Sequence, residues 1–314
     1  MTSKKRNFGK ATRDAYGETL VEIGRANPNV VVLDADLSKS TKTHKFGDAF
    51  PDRFFNVGIQ EANLVGVASG LAACGKIPFI SSFASFLVCK GYDQMRMAVA
   101  FSELNVKMVA SHGGISIGED GASQMSIEDI ALMCTLPGVA VLNPADELSA
   151  CELIKETAKH PGPVYVRTGR PKAPVVYSSP RKFEIGKGVL VREGKDLTIV
   201  ANGLLVAEAL DAAETLAAQG IQAGVIDMHT VKPLDHALLL QQAKITGKIV
   251  VAEEHSIWGG LCAAVSTYLS TVHPCKMAYV AIQDTYAESA TPDELLDKYG
   301  MRAVNVVDAA KKLF

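Results

Sequence analysis

The stretch Val30-Val31-Val32-Leu33-Asp34-Ala35-Asp36-Leu37-Ser38 begins with an unbroken apolar run and ends in acidic and hydroxyl side chains. A short apolar run without polar alternation is typical of a strand buried on both faces of a parallel sheet. Residues 10–27, just before it, carry apolar side chains at helical spacing. A helix that leads into a buried strand predicts an α/β fold, and in such folds ligands bind at the carboxyl ends of the strands.

The alternation of helix and strand continues to the end of the chain. In the first half it predicts helices at 61–74, 91–102, 126–134 and 145–159 and strands at 77–81, 106–110, 138–142 and 163–166. In the second half it predicts strands at 197–201, 223–226, 249–252 and 277–282 and helices near 204–218, 235–245, 260–270 and 303–313. Residues 169–187 hold three prolines and little periodicity, which favours a linker. The predicted organisation is a doubly wound parallel-sheet domain at 1–172, a linker at 173–190 and a smaller α/β domain at 191–314.

Composition excludes several classes of partner. The chain has 314 residues, 48% of them hydrophobic, and a formal net charge of -2 with dispersed basic residues. This balance predicts binding neither to nucleic acid nor to an anionic membrane. No apolar stretch reaches membrane-spanning length, so we expect a soluble cytoplasmic protein. The six cysteines are scattered without a Cys-x-x-Cys pair, which predicts no disulfide and no zinc site.

The run Asn56-Val57-Gly58-Ile59-Gln60-Glu61-Ala62-Asn63 places one carboxylate, Glu61, at a turn-to-helix junction. A first-turn acid commonly does no more than complement the helix dipole, so Glu61 alone does not predict a function. Gly66 and Gly70 follow on one helical face. Since each glycine inside a helix costs about 1 kcal/mol relative to alanine, this face predicts the close approach of another helix, either here or in a partner subunit.

Three further clusters follow predicted strand ends in the first half. Phe83 and Phe86 stand among serines, where they are either core residues or a platform for a planar heterocycle. His112 lies in the glycine-rich loop at 111–121, as a structural residue or as a site residue. Arg167 and Arg170 follow a strand, as solvated side chains or as a fork for carboxylate or phosphate.

Taken in order, these residues closely resemble the C-terminal half of transketolase, the thiamine-diphosphate enzyme of sugar phosphate metabolism. The strongest match is the loop Gly118-Glu119-Asp120-Gly121-Ala122-Ser123-Gln124, followed by Ile127-Glu128-Asp129. The resemblance covers nearly the whole chain. It implies a pyrimidine-binding domain from about Asn7 to Pro171, followed by a transketolase C-terminal domain.

The resemblance implies roles for residues around the cofactor. Glu61 falls on the catalytic glutamate, whose carboxyl group hydrogen-bonds the aminopyrimidine ring nitrogen and promotes the imino tautomer. Phe83 and Phe86 fall on aromatic positions around that ring, with Phe86 the better candidate for stacking. Asp36 matches an acid near the cofactor cavity. Cys89 lies where some members carry a further aromatic residue, so the aromatic wall around the aminopyrimidine is thinner in this chain.

The resemblance also implies substrate contacts. Asp120 matches the acid that reads a hydroxyl of the donor sugar, and four positions match those that hold the sugar phosphate: Arg13, Ser40, His112 and Arg170. His112 and Gln124 also fall in the catalytic group. Gln124 stands where many microbial transketolases have histidine and the animal-type enzymes have glutamine. Because an amide does not transfer protons at this position, that role passes to another histidine, from this chain or from a partner chain.

One motif of the family is missing. The cofactor diphosphate is held through a metal by a Gly-Asp-Gly motif, and this chain has only Gly47-Asp48-Ala49. The resemblance therefore implies the C-terminal subunit of a split transketolase, with the diphosphate and its magnesium or calcium on a separate N-terminal subunit. Self-association to a dimer and a two-plus-two heterotetramer follow from the family symmetry. The isolated chain is then expected to be inactive and to bind thiamine diphosphate weakly.

Ketol transfer from a ketose phosphate to an aldose phosphate is the implied reaction. One alternative is the beta subunit of a 2-oxo acid dehydrogenase, which shares the glutamate but needs no phosphate clamp. Another is a non-catalytic binding or scaffold relic of the same fold. In the second half, residues 253–256 and 259–261 follow a buried strand, in a loop-then-helix arrangement able to take an anion at the helix N-terminus. The interpretation there is structural, and so is that of His255.

Overall fold

The structure is a computed structural model that describes residues 6–314, and it confirms the α/β class. The first half contains α1 (Thr12–Ala26), β1 (Val30–Asp34), α2 (Ser38–Thr41), α3 (His44–Ala49), β2 (Phe54–Asn56), α4 (Glu61–Ala73), β3 (Ile77–Ser81), α5 (Ala84–Gln94), β4 (Lys107–Ala110), α6 (Asp129–Thr135), β5 (Ala140–Leu142), α7 (Glu147–Lys159) and β6 (Val164–Arg167). The second half contains β7 (Val189–Arg192), β8 (Leu197–Ala201), α8 (Leu205–Ala217), β9 (Ala223–Asp227), β10 (Thr230–Lys232), α9 (His236–Thr246), β11 (Lys248–Ser256), α10 (Leu261–Val272), β12 (Lys276–Ile282), α11 (Pro292–Lys298) and α12 (Ala303–Lys311).

These strands form two sheets with helices on both faces. The first has the order β10-β5-β6-β4-β3-β1-β2 and the second the order β12-β11-β8-β9-β7. All pairings are parallel except those of the edge strands β10 and β7. β10 belongs to the second half of the sequence but pairs with β5, so the two halves share one sheet. In the first sheet, β1, β3, β4 and β6 are consecutive neighbours, which brings their carboxyl ends together at one edge.

Most predicted elements lie within a few residues of those observed, but one helix was misplaced. The helix predicted at 91–102 begins at Ala84 and continues beyond α5 as a π-helical turn at Met95–Ala100. Ser85, in the first turn of this helix, donates its hydroxyl to the backbone carbonyl oxygen of Gln124 at 3.0 Å. The sequence patterns also missed the short elements α2, α3, α11, β2, β7 and β10, because three to seven residues are too few to establish a period.

The segment between the halves is packed against the protein. Ala173, Tyr177 and Phe183 are buried. The N-terminal arm runs antiparallel to this segment, where the amide of Gly9 donates to the carbonyl oxygen of Ala173 at 2.9 Å. Among residues 6–314, no helix combines the length and the apolar character that crossing a bilayer demands.

Candidate active site

Glu61 lies on the first turn of α4 and is 3% exposed. Ser82, just beyond β3, donates its hydroxyl to Glu61 Oε1 at 3.0 Å. Helix α5 crosses here at Gly91, where a side chain would press on Val65 of α4. No other residue in the part of the chain that the structure describes bonds Glu61 Oε2. The carboxyl group is therefore held in place through one oxygen, and the other is left for a ligand.

Three rings form a stack centred on Phe83, the residue after Ser82. Phe83 lies against His112, with ring centroids 3.8 Å apart and an interplanar angle of 25°. The rings of Phe83 and Phe86 have centroids 5.6 Å apart and an interplanar angle of 17°. Phe83 and His112 are buried, whereas Phe86 is only half-buried. His112 already covers Phe83, and the ammonium group of Lys90 lies 4.5 Å from the ring centroid of Phe86, so a planar ligand can stack on Phe86 only when the Lys90 side chain moves aside.

His112 has a left-handed backbone (φ 63°) and is buried. Its Nδ1 lies 2.6 Å from the hydroxyl oxygen of Ser111, and its Nε2 lies 3.1 Å from Arg13 Nη1. Burial lowers the pKa of His112 to about 3, and the positive charges of Arg13, Arg170 and Lys42 act in the same direction. At neutral pH the imidazole is therefore uncharged, which excludes it as a general acid in this state.

A cluster of cations surrounds His112. Arg13 donates from Nη1 to the backbone oxygen of Ser40 at 3.0 Å, so Ser40 contributes its carbonyl group to the cluster. Lys42 pairs with Asp14 at 3.2 Å, and Arg170 pairs with Glu119 at 3.0 Å and bonds the carbonyl oxygen of Ile117. Burial lowers the pKa of Arg13, and the charge of Arg170 adds to that effect. Arg13, Ser40, His112 and Arg170, which were predicted to hold an anion, do lie together, and Lys42 joins them.

Three predicted site residues lie apart from these contacts. Asp36 is exposed, has a left-handed backbone (φ 67°) and accepts from Asn56 Nδ2 at 2.8 Å. Asp120 is exposed. Gln124 is half-buried, and its backbone carbonyl oxygen accepts a hydrogen bond from the Ser85 hydroxyl. Within residues 6–314, no hydrogen bond joins any of the three to Glu61 or His112. Their roles therefore stay predictions.

Arg167, which the sequence pairs with Arg170 at a strand end, is a buried structural residue. Its guanidinium donates to Asp129 Oδ1 at 2.8 Å, to the carbonyl oxygen of Ser126 at 2.6 Å and to that of Glu254 at 2.7 Å. The Arg167 guanidinium does bind a carboxylate, as predicted for a planar fork, but that carboxylate is Asp129 of the same chain. Only Arg170 of the two belongs to the cation cluster.

Sequence reasoning missed Ser82, Ser111 and Lys42. Ser82 and Ser111 lie at strand ends and Lys42 directly follows α2, each in a segment rich in hydroxyl or basic residues, and that composition was the available signal. No sequence pattern distinguishes a serine that bonds a site acid or histidine from any other serine. Its role follows only from the distance to its partner.

In the second half, the helix N-terminus considered for an anion already holds a carboxylate of the chain. Glu253 accepts from the amides of Leu261 and Cys262, at 2.8 and 2.7 Å, where α10 begins. His255 Nδ1 donates to the carbonyl oxygen of Ser256 at 2.7 Å, and its Nε2 accepts from the amide of Ala131 at 3.2 Å. Both residues are structural, as predicted.

Comparison with known proteins gives consistent matches over most of the chain. The family "Transketolase, pyrimidine binding domain" matches residues 9–175, and "Transketolase, C-terminal domain" matches residues 186–306. A putative transketolase C-terminal section of Methanocaldococcus jannaschii is 44% identical over 295 residues, which cover 93% of this chain and 92% of that protein. A 6-deoxy-6-sulfo-D-fructose transketolase subunit of Clostridium sp. is 42% identical over 301 residues, with coverages of 96% and 94%. Human transketolase is 36% identical over 307 residues, but the match spans 49% of its length.

Solved structures agree with these matches. A split-gene transketolase described as an inactive beta4 tetramer has a TM-score of 0.91 and 50% identity, over 97% of this chain and 98% of that one. Transketolase from Leishmania mexicana has a TM-score of 0.82 over 99% of this chain and 46% of that one. Its identity of 23% supports the fold alone.

Proposed function

The chain belongs to the transketolase family, and on that premise we propose that it is the C-terminal subunit of a split, thiamine-diphosphate-dependent transketolase. The proposed reaction moves a two-carbon ketol unit from a ketose phosphate to an aldose phosphate. The observation that carries the proposal is the buried carboxyl group of Glu61, held by Ser82 at the end of β3, at the same sheet edge as the ring of Phe86 and a cluster of cations. The proposal includes a cytoplasmic location and a role in the pentose phosphate pathway.

The residues at this edge fit an aminopyrimidine. Phe86 offers an aromatic face, and Glu61 offers an oxygen with no partner among residues 6–314. When bound, thiamine diphosphate supplies the electron sink that breaking a carbon–carbon bond next to a carbonyl group requires. In the proposal, Glu61 holds a proton at the ring nitrogen and Phe86 orients the ring, with Asp36 near the cofactor cavity. Burial of Glu61 keeps bulk water away from that proton.

The cation cluster suits the terminal phosphate of a sugar. Arg13 and Arg170 are its planar forks, and each is well matched to the oxygens of a tetrahedral anion. Asp120 is proposed to bind a donor hydroxyl, and Gln124 to contribute hydrogen bonds rather than proton transfer. This cluster distinguishes the proposal from the beta subunit of a 2-oxo acid dehydrogenase, whose substrate lacks a phosphate. The presence of Glu61, Phe86 and Asp120 in the sequence also disfavours a non-catalytic relic.

The diphosphate and its magnesium or calcium are assigned to a separate N-terminal subunit. Two relatives named as a C-terminal section and as a subunit match this chain over more than nine tenths of their length, which supports that division. The similar structure described as inactive contains chains of nearly this length. By the same logic we expect the present chain to need its partner.

We therefore expect activity only on reconstitution. The chain should transfer a two-carbon unit to ribose 5-phosphate when mixed with an N-terminal subunit that carries a Gly-Asp-Gly motif, thiamine diphosphate and a divalent metal. Either chain alone should be inactive, and calorimetry on this chain alone should find weak cofactor binding. Tight, metal-dependent binding by the isolated chain would contradict the split, and activity with pyruvate-like acids only would favour the dehydrogenase.

The helix α4 supports self-association. Gly66 and Gly70 are exposed, and a Cβ atom at either position would meet nothing of this chain within 4 Å among residues 6–314. Val67 between them is 39% exposed. Two helix-interior glycines with no close neighbour in the chain are explained by a helix of a second copy packed on this face, which we propose as the dimer contact.

Arginine at Gly66 or Gly70 should separate folding from assembly. Since arginine is a good helix former, Gly70→Arg should raise the stability of the isolated helix by up to about 1 kcal/mol while blocking the close approach. Light scattering should then report single chains. Thr267→Arg on the exposed side of α10 is the control and should leave the mass unchanged. An unchanged mass in both glycine variants would rule out this face as the contact.

A further inference from the structure

We propose that Ser111 is a positioning residue of the anion site: its hydroxyl fixes the proton of His112 on Nδ1, so that Nε2 can accept from Arg13 and aim the guanidinium at the anion. This inference rests on the proposed function for the identity of the anion. The hydrogen-bond geometry on which it depends is independent of that function. Ser111 and His112 are adjacent in sequence and both are buried.

The direction of the bonds follows from the donors involved. Arg13 Nη1 lies 3.1 Å from His112 Nε2, and a guanidinium has donors only. Nε2 must therefore be the acceptor and carry no proton. A neutral imidazole with a bare Nε2 has its proton on Nδ1, and the Ser111 hydroxyl oxygen, 2.6 Å away, accepts it.

The charges nearby exclude the doubly protonated ring. An imidazolium would direct a second N–H at Arg13, and it would add a positive charge to a buried place that already faces Arg13, Arg170 and Lys42. Asp14 and Glu119 are engaged by Lys42 and Arg170 and offer no compensating contact to His112. The remaining choice is between the two neutral tautomers, and only one of them fits Arg13.

The bonds of Arg13 show what this tautomer achieves. Nη1 has two hydrogens, and the backbone oxygen of Ser40 takes one while His112 Nε2 takes the other. Neither Nε nor Nη2 has a partner among residues 6–314, and Nε is buried. The Nε–Nη2 edge is the side of a guanidinium that binds an oxyanion through two parallel bonds. Ser40 and His112 thus hold one end of Arg13 and leave the anion-binding edge without a partner.

Stacking on Phe83 further constrains the orientation of the His112 ring. Phe83 lies 3.8 Å from the His112 ring. A histidine that reversed its tautomer would keep this stack but would present an N–H to Arg13. Arg13 would then have to leave Nε2, and its edge would no longer face the site. Ser111 acts on the anion only through this chain of contacts.

Nitrogen NMR of the whole chain labelled in its histidine rings tests the tautomer directly. We expect His112, assigned by comparison with His112→Asn, to carry its proton on Nδ1 at neutral pH, with and without saturating inorganic phosphate. In Ser111→Ala the ring should shift towards the Nε2–H form. A proton on Nε2 in the unchanged protein, or its appearance there when phosphate is added, overturns the proposal, as does an unaltered tautomer in Ser111→Ala.

Phosphate binding supplies the second readout. Inorganic phosphate titrated into Ser111→Ala should bind about tenfold more weakly, the effect of one lost positioning bond. Ser126→Ala is the matched control, because Ser126 is buried and its hydroxyl has no hydrogen-bond partner among residues 6–314. Equal loss in both variants would overturn the proposal. Absence of transketolase activity on reconstitution would instead refute the proposed function and leave the tautomer result standing.

Discussion

Replacing Glu61 by glutamine should lower the turnover of the reconstituted enzyme by about a thousandfold, within the range for loss of a positioned acid or base. Glutamine has the same shape and still accepts from Ser82 through its amide oxygen, so the buried site at the start of α4 should survive. What it lacks is an oxygen that can hold and return a proton at the ring nitrogen. The loss should therefore appear in kcat, with a small change in KM for either sugar phosphate.

Two comparisons make this result specific. Glu61→Asp keeps the acid but withdraws it by one methylene, so it should recover only part of the rate, since proton transfer requires hydrogen-bond distance. Glu156→Gln on the half-buried side of α7 should leave the rate unchanged. Thermal unfolding of the Glu61 variants should match that of the unchanged chain. Undiminished turnover in Glu61→Gln would refute the assigned role.

The fold was predictable where long segments carried a clear period. The run Val30-Val31-Val32-Leu33 lies in β1, which is fully buried. The family resemblance is confirmed. The position of β10 could not be predicted from the sequence, because its three residues pair with β5 in a sheet formed by strands of the first half of the chain. Pairing across such a distance leaves no local pattern.

The site was predictable as a set of residues but not as a set of bonds. The sequence indicated Arg13, His112 and Arg170, and the structure brings them together. It did not indicate that His112 is uncharged or that Ser40 acts through its carbonyl group, because both depend on how closely neighbouring strand ends approach. Residue type predicts which chemistry is available, whereas burial and partner distance decide which protonation state is present.

Asp129→Ala should be the most destabilising single substitution in this region, with a loss of about 3–5 kcal/mol in the free energy of unfolding. Asp129 and Arg167 form an ion pair at 2.8 Å with side-chain exposures of 0% and 4%. The second oxygen of Asp129 accepts from the Tyr165 hydroxyl at 2.6 Å. Removing the carboxylate leaves the buried guanidinium without its ion-pair partner, with only the longer-range attraction of Glu254, and leaves a buried hydroxyl without an acceptor. Both penalties exceed the cost of a lost surface pair.

The position of Arg167 connects this pair to the site. A side chain at Gly113, next to His112, would collide with the Arg167 side chain, so the guanidinium lies directly against the His112 loop. Chemical unfolding followed by circular dichroism should show that the losses of Asp129→Ala and Arg167→Met are not additive in the double variant, because the two residues share one buried ion pair. Glu156→Ala, which breaks the exposed pair with Lys159, should stay within about 0.5 kcal/mol of the unchanged chain. If Asp129→Ala costs no more than Glu156→Ala, the buried pair does not hold the loop that carries His112.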